Sequence, residues 1–150
     1  MSEKGKRAKQ LFMDGYNCSQ AVLGAFAEEI GLDFNTAVLL ASPFGGGIGR
    51  MRETCGAVSG MMMAAGMLYG YTDPNASTEK IKTYETARNL ADKFKENNGS
   101  IICRELLGLS ASEPSHEPEK RTDTYYKKRP CPEIVEIAAD ILDDYISQNK

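Results

Sequence analysis

The sequence predicts an all-α fold: a single-domain helical bundle of about five to seven helices around a buried central helix. Three observations predict it. Helix caps and stops recur along the whole chain, the apolar residues between them repeat at helical spacing, and no stretch alternates as a half-buried strand would. The chain has 150 residues, 41% hydrophobic and 26% charged, which suits one domain built on one core. Residues 1–150 are therefore read as one unit.

The first helix is read over about Glu3 to Met13, stopped by Asp14-Gly15. The second follows Asn17, whose partner three residues on, Gln20, completes a capping box. Ala21, Val22, Ala25, Phe26 and Ile30 mark its buried face, and Gly31 ends it. A shorter helix runs from about Phe34 to Ala41 and closes at "SPFGGG". The central helix is read over Cys55 to Tyr69, where Met61, Met62, Met63 and Met67 are taken as core filling. "TDPNAS" is a turn leading to an N-cap at Ser77, after which Ile81, Tyr84, Ala87, Ala91 and Phe94 mark one face. Ser100 caps "IICRELLG". Residues 110–130 are proline-broken and charged, and are read as a long loop that includes His116. The last helix starts at Cys131-Pro132, with Ile134, Ile137, Ala138, Ile141 and Tyr145 as its buried stripe.

Charge and hydropathy narrow the function classes. The formal charge is −3, so no basic surplus points to a nucleic-acid partner. The uncharged run from Thr54 to Thr72 is read as a buried helix, not a membrane insertion. The basic N-terminus leads into an amphipathic stretch and not into a signal peptide. A cytoplasmic protein is the resulting expectation.

Four cysteines, Cys18, Cys55, Cys103 and Cys131, each fall in the first turn of a predicted helix or at its cap. Unpaired N–H groups and the partial positive charge at a helix start stabilise an anion, and for cysteine this favours the thiolate that binds metal or attacks disulfides. Arg52, Arg104 and Arg129 lie within three residues of a cysteine. The competing reading is four buried cysteines acting as small hydrophobes, with the 110–130 loop as the working part. Spacing argues by subtraction. There is no Cys-x-x-Cys step of the kind zinc knuckles, common ferredoxins or thioredoxin-like pairs use. Any site must be assembled in space from four helix starts, as an iron–sulfur centre, a zinc site or a dithiol couple.

"GGGIGR" precedes the central helix. Gly45, Gly46, Gly47 and Gly49 let the backbone approach a ligand closely and direct N–H groups at an anionic cofactor. It is not a nucleotide signature, because no third glycine at the required spacing and no Gly-Lys-Ser/Thr follows.

Around these residues the chain resembles a known family. "TCGAVSG" supplies Cys55, Gly56, Ala57 and Gly60; "GYNCSQAV" precedes it, and "IICREL" and "RPCPEI" follow with one cysteine each. The pattern is similar to that of the C_GCAxxG_C_C family of small prokaryotic proteins, although the family label writes Gly before Cys where this chain has Cys-Gly-Ala. The resemblance implies a redox or iron–sulfur role, and it supplies no reaction or substrate.

The resulting expectation is a redox-active protein, an oxidoreductase or an electron-transfer accessory. Cys18, Cys55, Cys103 and Cys131 converge as redox thiols or metal ligands, binding an iron–sulfur cluster or running thiol/disulfide exchange with a redox partner protein. The alternative is a non-catalytic module in which zinc, or the glycine loop alone, organises a surface for another protein. Neither the electron partner nor the oligomeric state is legible at this level.

Overall fold

The computed structural model describes residues 2–109 and 116–150, and among them the chain forms eight α-helices and one 3₁₀ turn. Helix α1 spans Glu3–Met13. Ser2 caps it, and both the Ser2 N–H and hydroxyl donate to Asp140 at 2.9 and 2.6 Å, tying the start of the chain to its last helix. Helix α2, Cys18–Ala25, carries the expected capping box between Asn17 and Gln20. It ends earlier than Gly31, because i→i+3 bonds from Phe26 to Leu23, Ala27 to Gly24 and Gly31 to Glu28 tighten the chain into turns. Ile30 still reaches the core from that turn.

Helix α3 spans Phe34–Ala41 and runs into the 3₁₀ turn Ser42–Phe44. Helix α4 spans Gly56–Tyr69 with Cys55 as its N-cap. Helix α5, Ser77–Asn98, is stopped by Gly99 at φ +89°. Its buried face is Thr86, Leu90 and Phe94, whereas Ile81 and Tyr84 are 61% and 55% exposed. The sequence stripe was wrong there because the first two turns of α5 extend past the core, so apolar spacing alone did not select the packed face. Short helix α6 covers Cys103–Leu106. Helix α7, Asp123–Lys128, lies inside the stretch expected to be a loop and is capped by Thr122; residues 110–115 of that stretch fall outside the described part of the chain. Helix α8 spans Cys131–Gln148, with Pro132 in its first turn, where its missing N–H leaves no bond unmade. Helix α6 is the short helix expected at "IICRELLG", and α7, inside the expected loop, takes the count to eight.

Helix α2 is as central as α4: it packs against α1, α3, α4 and α8, and every residue from Ala21 to Ala25 is buried. Helix α4 is buried over its first half and opens to solvent toward Met67. Met61 fills the core, together with Phe12, Phe26, Phe94, Leu23 and Leu142. Among the described residues no helix is long and apolar enough to cross a membrane.

The α2–α4 contact depends on a glycine. A Cβ on Gly60 would stand 2.6 Å from the Ser19 carbonyl oxygen and 3.1 Å from Val22 Cβ. Gly60→Ala is expected to gain about 1 kcal/mol of helix propensity and to lose more by forcing the two backbones apart, an overpacking cost of about 1–3 kcal/mol. Thermal unfolding followed by circular dichroism should show a lower Tm; an unchanged or raised Tm would mean the interface relaxes freely.

Candidate functional site

The four cysteines come from four separate helix starts, as the caps predicted: Cys18 opens α2, Cys55 caps α4, Cys103 opens α6 and Cys131 opens α8. The packing brings these starts together. Gly56 admits Cys18 alongside α4, since a Cβ there would lie 2.5 Å from Cys18 Sγ. Thr54 and Ile102 form an isolated antiparallel bridge. The Cys55 N–H donates to the Ile101 carbonyl at 2.8 Å, and the Cys103 N–H to the Glu53 carbonyl at 2.6 Å. All four side chains line one cavity of about 70 Å³, walled also by Phe12, Leu106, Ile134, Tyr125, Arg52 and Arg121. All four are free thiols, Cys55 and Cys103 buried and Cys18 and Cys131 half-buried. They surround a space and do not close on one point: among the described residues, no group of three or more His, Cys, Asp or Glu is placed to hold a single metal ion.

The electrostatics reverse one sequence expectation. The helix-start effect is present, because the N–H groups of Ala57 and Val58 pull the Cys55 thiol toward ionisation. Burial outweighs it and pushes Cys55 well above the ordinary thiol range, with the neighbouring Cys18 adding to the rise. Burial likewise raises Cys103, although Arg52 Nη1 donates to its sulfur at 3.5 Å and opposes the shift. Cys131 is pushed up to about 12, by burial first and then by Cys18 and Cys103, with Arg129 and Arg52 opposing. In a cavity that holds four thiols, each charge formed makes the next harder to form. The chamber therefore favours neutral thiols until a cation enters it. Arg104 plays a different part from Arg52: it pairs with Glu53 at 3.1 Å and donates to the Arg52 carbonyl, bracing the loop.

The glycine loop is wound left-handed. Gly46, Gly47, Ile48, Gly49, Arg50 and Arg52 all have φ between +54° and +72°. For the three non-glycine residues this costs about 1–2 kcal/mol each. Bonds within the loop oppose that cost, among them Gly49 N–H to Pro43 O at 2.9 Å and Glu53 N–H to Gly47 O at 2.9 Å. Gly46 lines the cysteine cavity. Gly47 lets the loop lie against Cys103, because a Cβ there would meet Cys103 Cβ at 2.7 Å. Gly45 packs on Asn17, where a Cβ would stand 2.5 Å from the side chain. Gly49 lies on the outer side of the loop and its N–H is satisfied by Pro43, so it directs no donor inward.

Two contributors were missed by sequence reasoning. Arg121 crosses from the 116–130 segment to donate to the carbonyls of Phe12 and, at 2.7 Å, Tyr16, with its guanidinium 4.0 Å from the centre of the Phe12 ring. The only hint of it was that α1 carries no basic residue in its last turn. Tyr125, in the same segment, closes the cavity beside Cys131.

A family model described as "Putative redox-active protein (C_GCAxxG_C_C)" matches residues 16–145 of this chain. A protein of Archaeoglobus fulgidus described as "Uncharacterized protein" is 28% identical over 151 residues, covering 93% of this chain and 91% of its own length. No solved structure matches.

Proposed function

Because the chain belongs to the C_GCAxxG_C_C redox-active family, we propose that its four-cysteine chamber is a redox centre whose sulfurs ligate an iron–sulfur cluster. The observation that carries this reading is that cysteines tens of residues apart in sequence line one sheltered cavity. The donor set fits: four soft thiols, with no competing histidine or carboxylate in the wall among the described residues, select iron–sulfur centres over hard cations. When bound, such a centre gives or accepts an electron at a potential set by its burial and by hydrogen bonds to its sulfurs.

The chain's own residues supply those levers. Phe12, Leu106 and Ile134 supply an apolar wall. The Ala57 and Val58 N–H groups favour the ionised form of Cys55, and Arg52 donates to Cys103. Arg52 and Arg121 stand in the wall as counter-charges to a thiolate-ligated, anionic centre. The protein would then pass electrons to or from a partner in a reducing cytoplasm, as an oxidoreductase or its accessory.

Thiol/disulfide exchange is the second reading, favoured by the half-buried state of Cys18 and Cys131, which leaves two thiols within reach of a partner. A zinc-organised docking module has less support, since the thiols ring a space instead of meeting at one ion's position. Protein purified without oxygen is expected to contain iron and acid-labile sulfide in stoichiometric amounts, with charge-transfer absorption in the visible. Their absence after a reconstitution attempt would overturn the cluster. Zinc alone would then favour the docking module, and a two-electron thiol titration the exchange reading.

A further inference from the structure

A second chamber of about 250 Å³ adjoins the cysteine cavity on its outer side, and the two share Asn17, Gly46, Arg52, Arg121 and Tyr125 as a common wall. Among the described residues, the outer chamber carries more arginines than carboxylates in its lining. Arg50, Arg52 and Arg121 line it together with His116, and its lining carboxylate, Glu119, pairs with Arg129 at 2.8 Å. Arg121 is the telling member. Its bonds go to the backbone carbonyls of Phe12 and Tyr16, and its ring contacts are to Phe12 and Tyr125, so every group that holds it is uncharged. Those bonds occupy two of the five N–H donors a guanidinium carries, which leaves three for other partners on the wall the two chambers share. Arg50 reaches this chamber from a left-handed position, φ +66°, that glycine would occupy without strain. A costly backbone state kept for an arginine is the kind of outlier that marks a functional side chain.

We propose that the outer chamber binds a small molecule through a terminal oxyanion, a phosphate or a carboxylate, held by Arg121 and Arg50, and that this is the substrate-side pocket of the protein. Planar guanidinium forks match both oxyanions in geometry and charge. The wall shared with the cavity that Cys103 and Cys55 line puts such a molecule in the neighbourhood of the thiols. As a substrate pocket the proposal rests on the redox reading above; as an anion site it does not.

The test is a heteronuclear NMR titration of the ¹⁵N-labelled full chain at low ionic strength. Inorganic phosphate and malonate are added separately, with sodium chloride as the ionic-strength control. The expected result is saturable shifts confined to residues 45–52 and 116–125 with at least one oxyanion and not with chloride; the tighter of the two identifies the source chemistry. Arg50→Gly, which relieves the backbone, should keep or raise Tm and weaken binding about tenfold. Arg121→Lys, which keeps the charge and loses the fork, should weaken it as well. Shifts that do not saturate, that spread over the basic surface, or that persist in both variants would overturn the proposal. Saturable binding in a protein free of iron, sulfide and redox titration would sink the redox reading and the substrate role while leaving the anion site. A loaded centre without oxyanion binding would sink this inference alone.

Discussion

Cys55→Ser is expected to take the bound iron and sulfide, and the redox titration with them, to near zero while the far-UV circular dichroism stays at the wild-type level. Cys55 is buried, caps α4 and follows directly on the bridge that joins the glycine-loop segment to α6, so it anchors the chamber where these elements meet. Serine offers a hard oxygen that stays protonated where the thiol can be deprotonated by a soft metal centre. The same substitution is mild for the fold. Serine is a preferred N-cap residue, worth about 1 kcal/mol over residues without a side-chain acceptor. The N–H groups of Ala57 and Val58, which pull the Cys55 thiol toward ionisation, are the helix-start donors a serine oxygen would accept from. That gain opposes the cost of about 1–3 kcal/mol for burying a polar group. Iron content and helicity therefore separate in this variant. A Cys55→Ser protein that retains full iron and sulfide would remove Cys55 from the centre, and one that loses its helicity would show the residue to be structural.

How much of this site was legible in the sequence depends on the range of the forces that made it. The four helix starts were readable because capping is local. Asn17 and Gln20 form a reciprocal pair within one turn, and Pro132 suits only a first turn. The meeting of those starts was not readable. It follows from close approaches at Gly56 and Gly60 and from the Thr54–Ile102 bridge, which join segments far apart in the chain. The sign of the thiol shifts was misjudged for a related reason. The helix-start field acts on one residue at a time, whereas desolvation and mutual repulsion arise only once four sulfurs share a cavity. Glycines at 45–47 and 49 announced a left-handed path, but nothing local required it to continue through Arg50 and Arg52; loop bonds back to Gly45 and Gly46 do that. The exposed Ile81 and Tyr84 show the same limit on α5, where spacing identified a helix and not its partner.

Arg121→Met should produce the largest loss of stability among single changes near the site, about 2–4 kcal/mol. Helix α1 ends without a basic residue in its last turn; backbone N–H groups of Asp14, Gly15 and Tyr16 reach the carbonyls of Gln10, Phe12 and Leu11, but within the helix no cation answers the partial negative charge. Arg121 answers it from 109 residues away, donating to the Phe12 carbonyl, and from 105 away to that of Tyr16. Hydrogen bonds from a charged donor contribute about 1.5–3 kcal/mol, and stacking of the guanidinium over Phe12 adds about 0.5–1 kcal/mol. Methionine keeps the apolar stem against Phe12 and removes the rest. At about 2–4 °C per kcal/mol for a chain of this size, Tm should fall by roughly 5–15 °C. Arg121→Lys should recover part of the loss, since an ammonium restores the charge and cannot reach both carbonyls as a fork does. Because Arg121 also pins Tyr125 and the approach to Cys131 over the cavity, native alkylation of Cys18 and Cys131 should speed up in the methionine variant, while Cys55, sheltered under the glycine loop, stays slow. A Tm within a degree of wild type would mean the α1 carbonyls are equally well served by water. Faster alkylation of Cys55 as well would mean that the segment carrying Arg121 holds the chamber shut as a whole, and not only at its mouth.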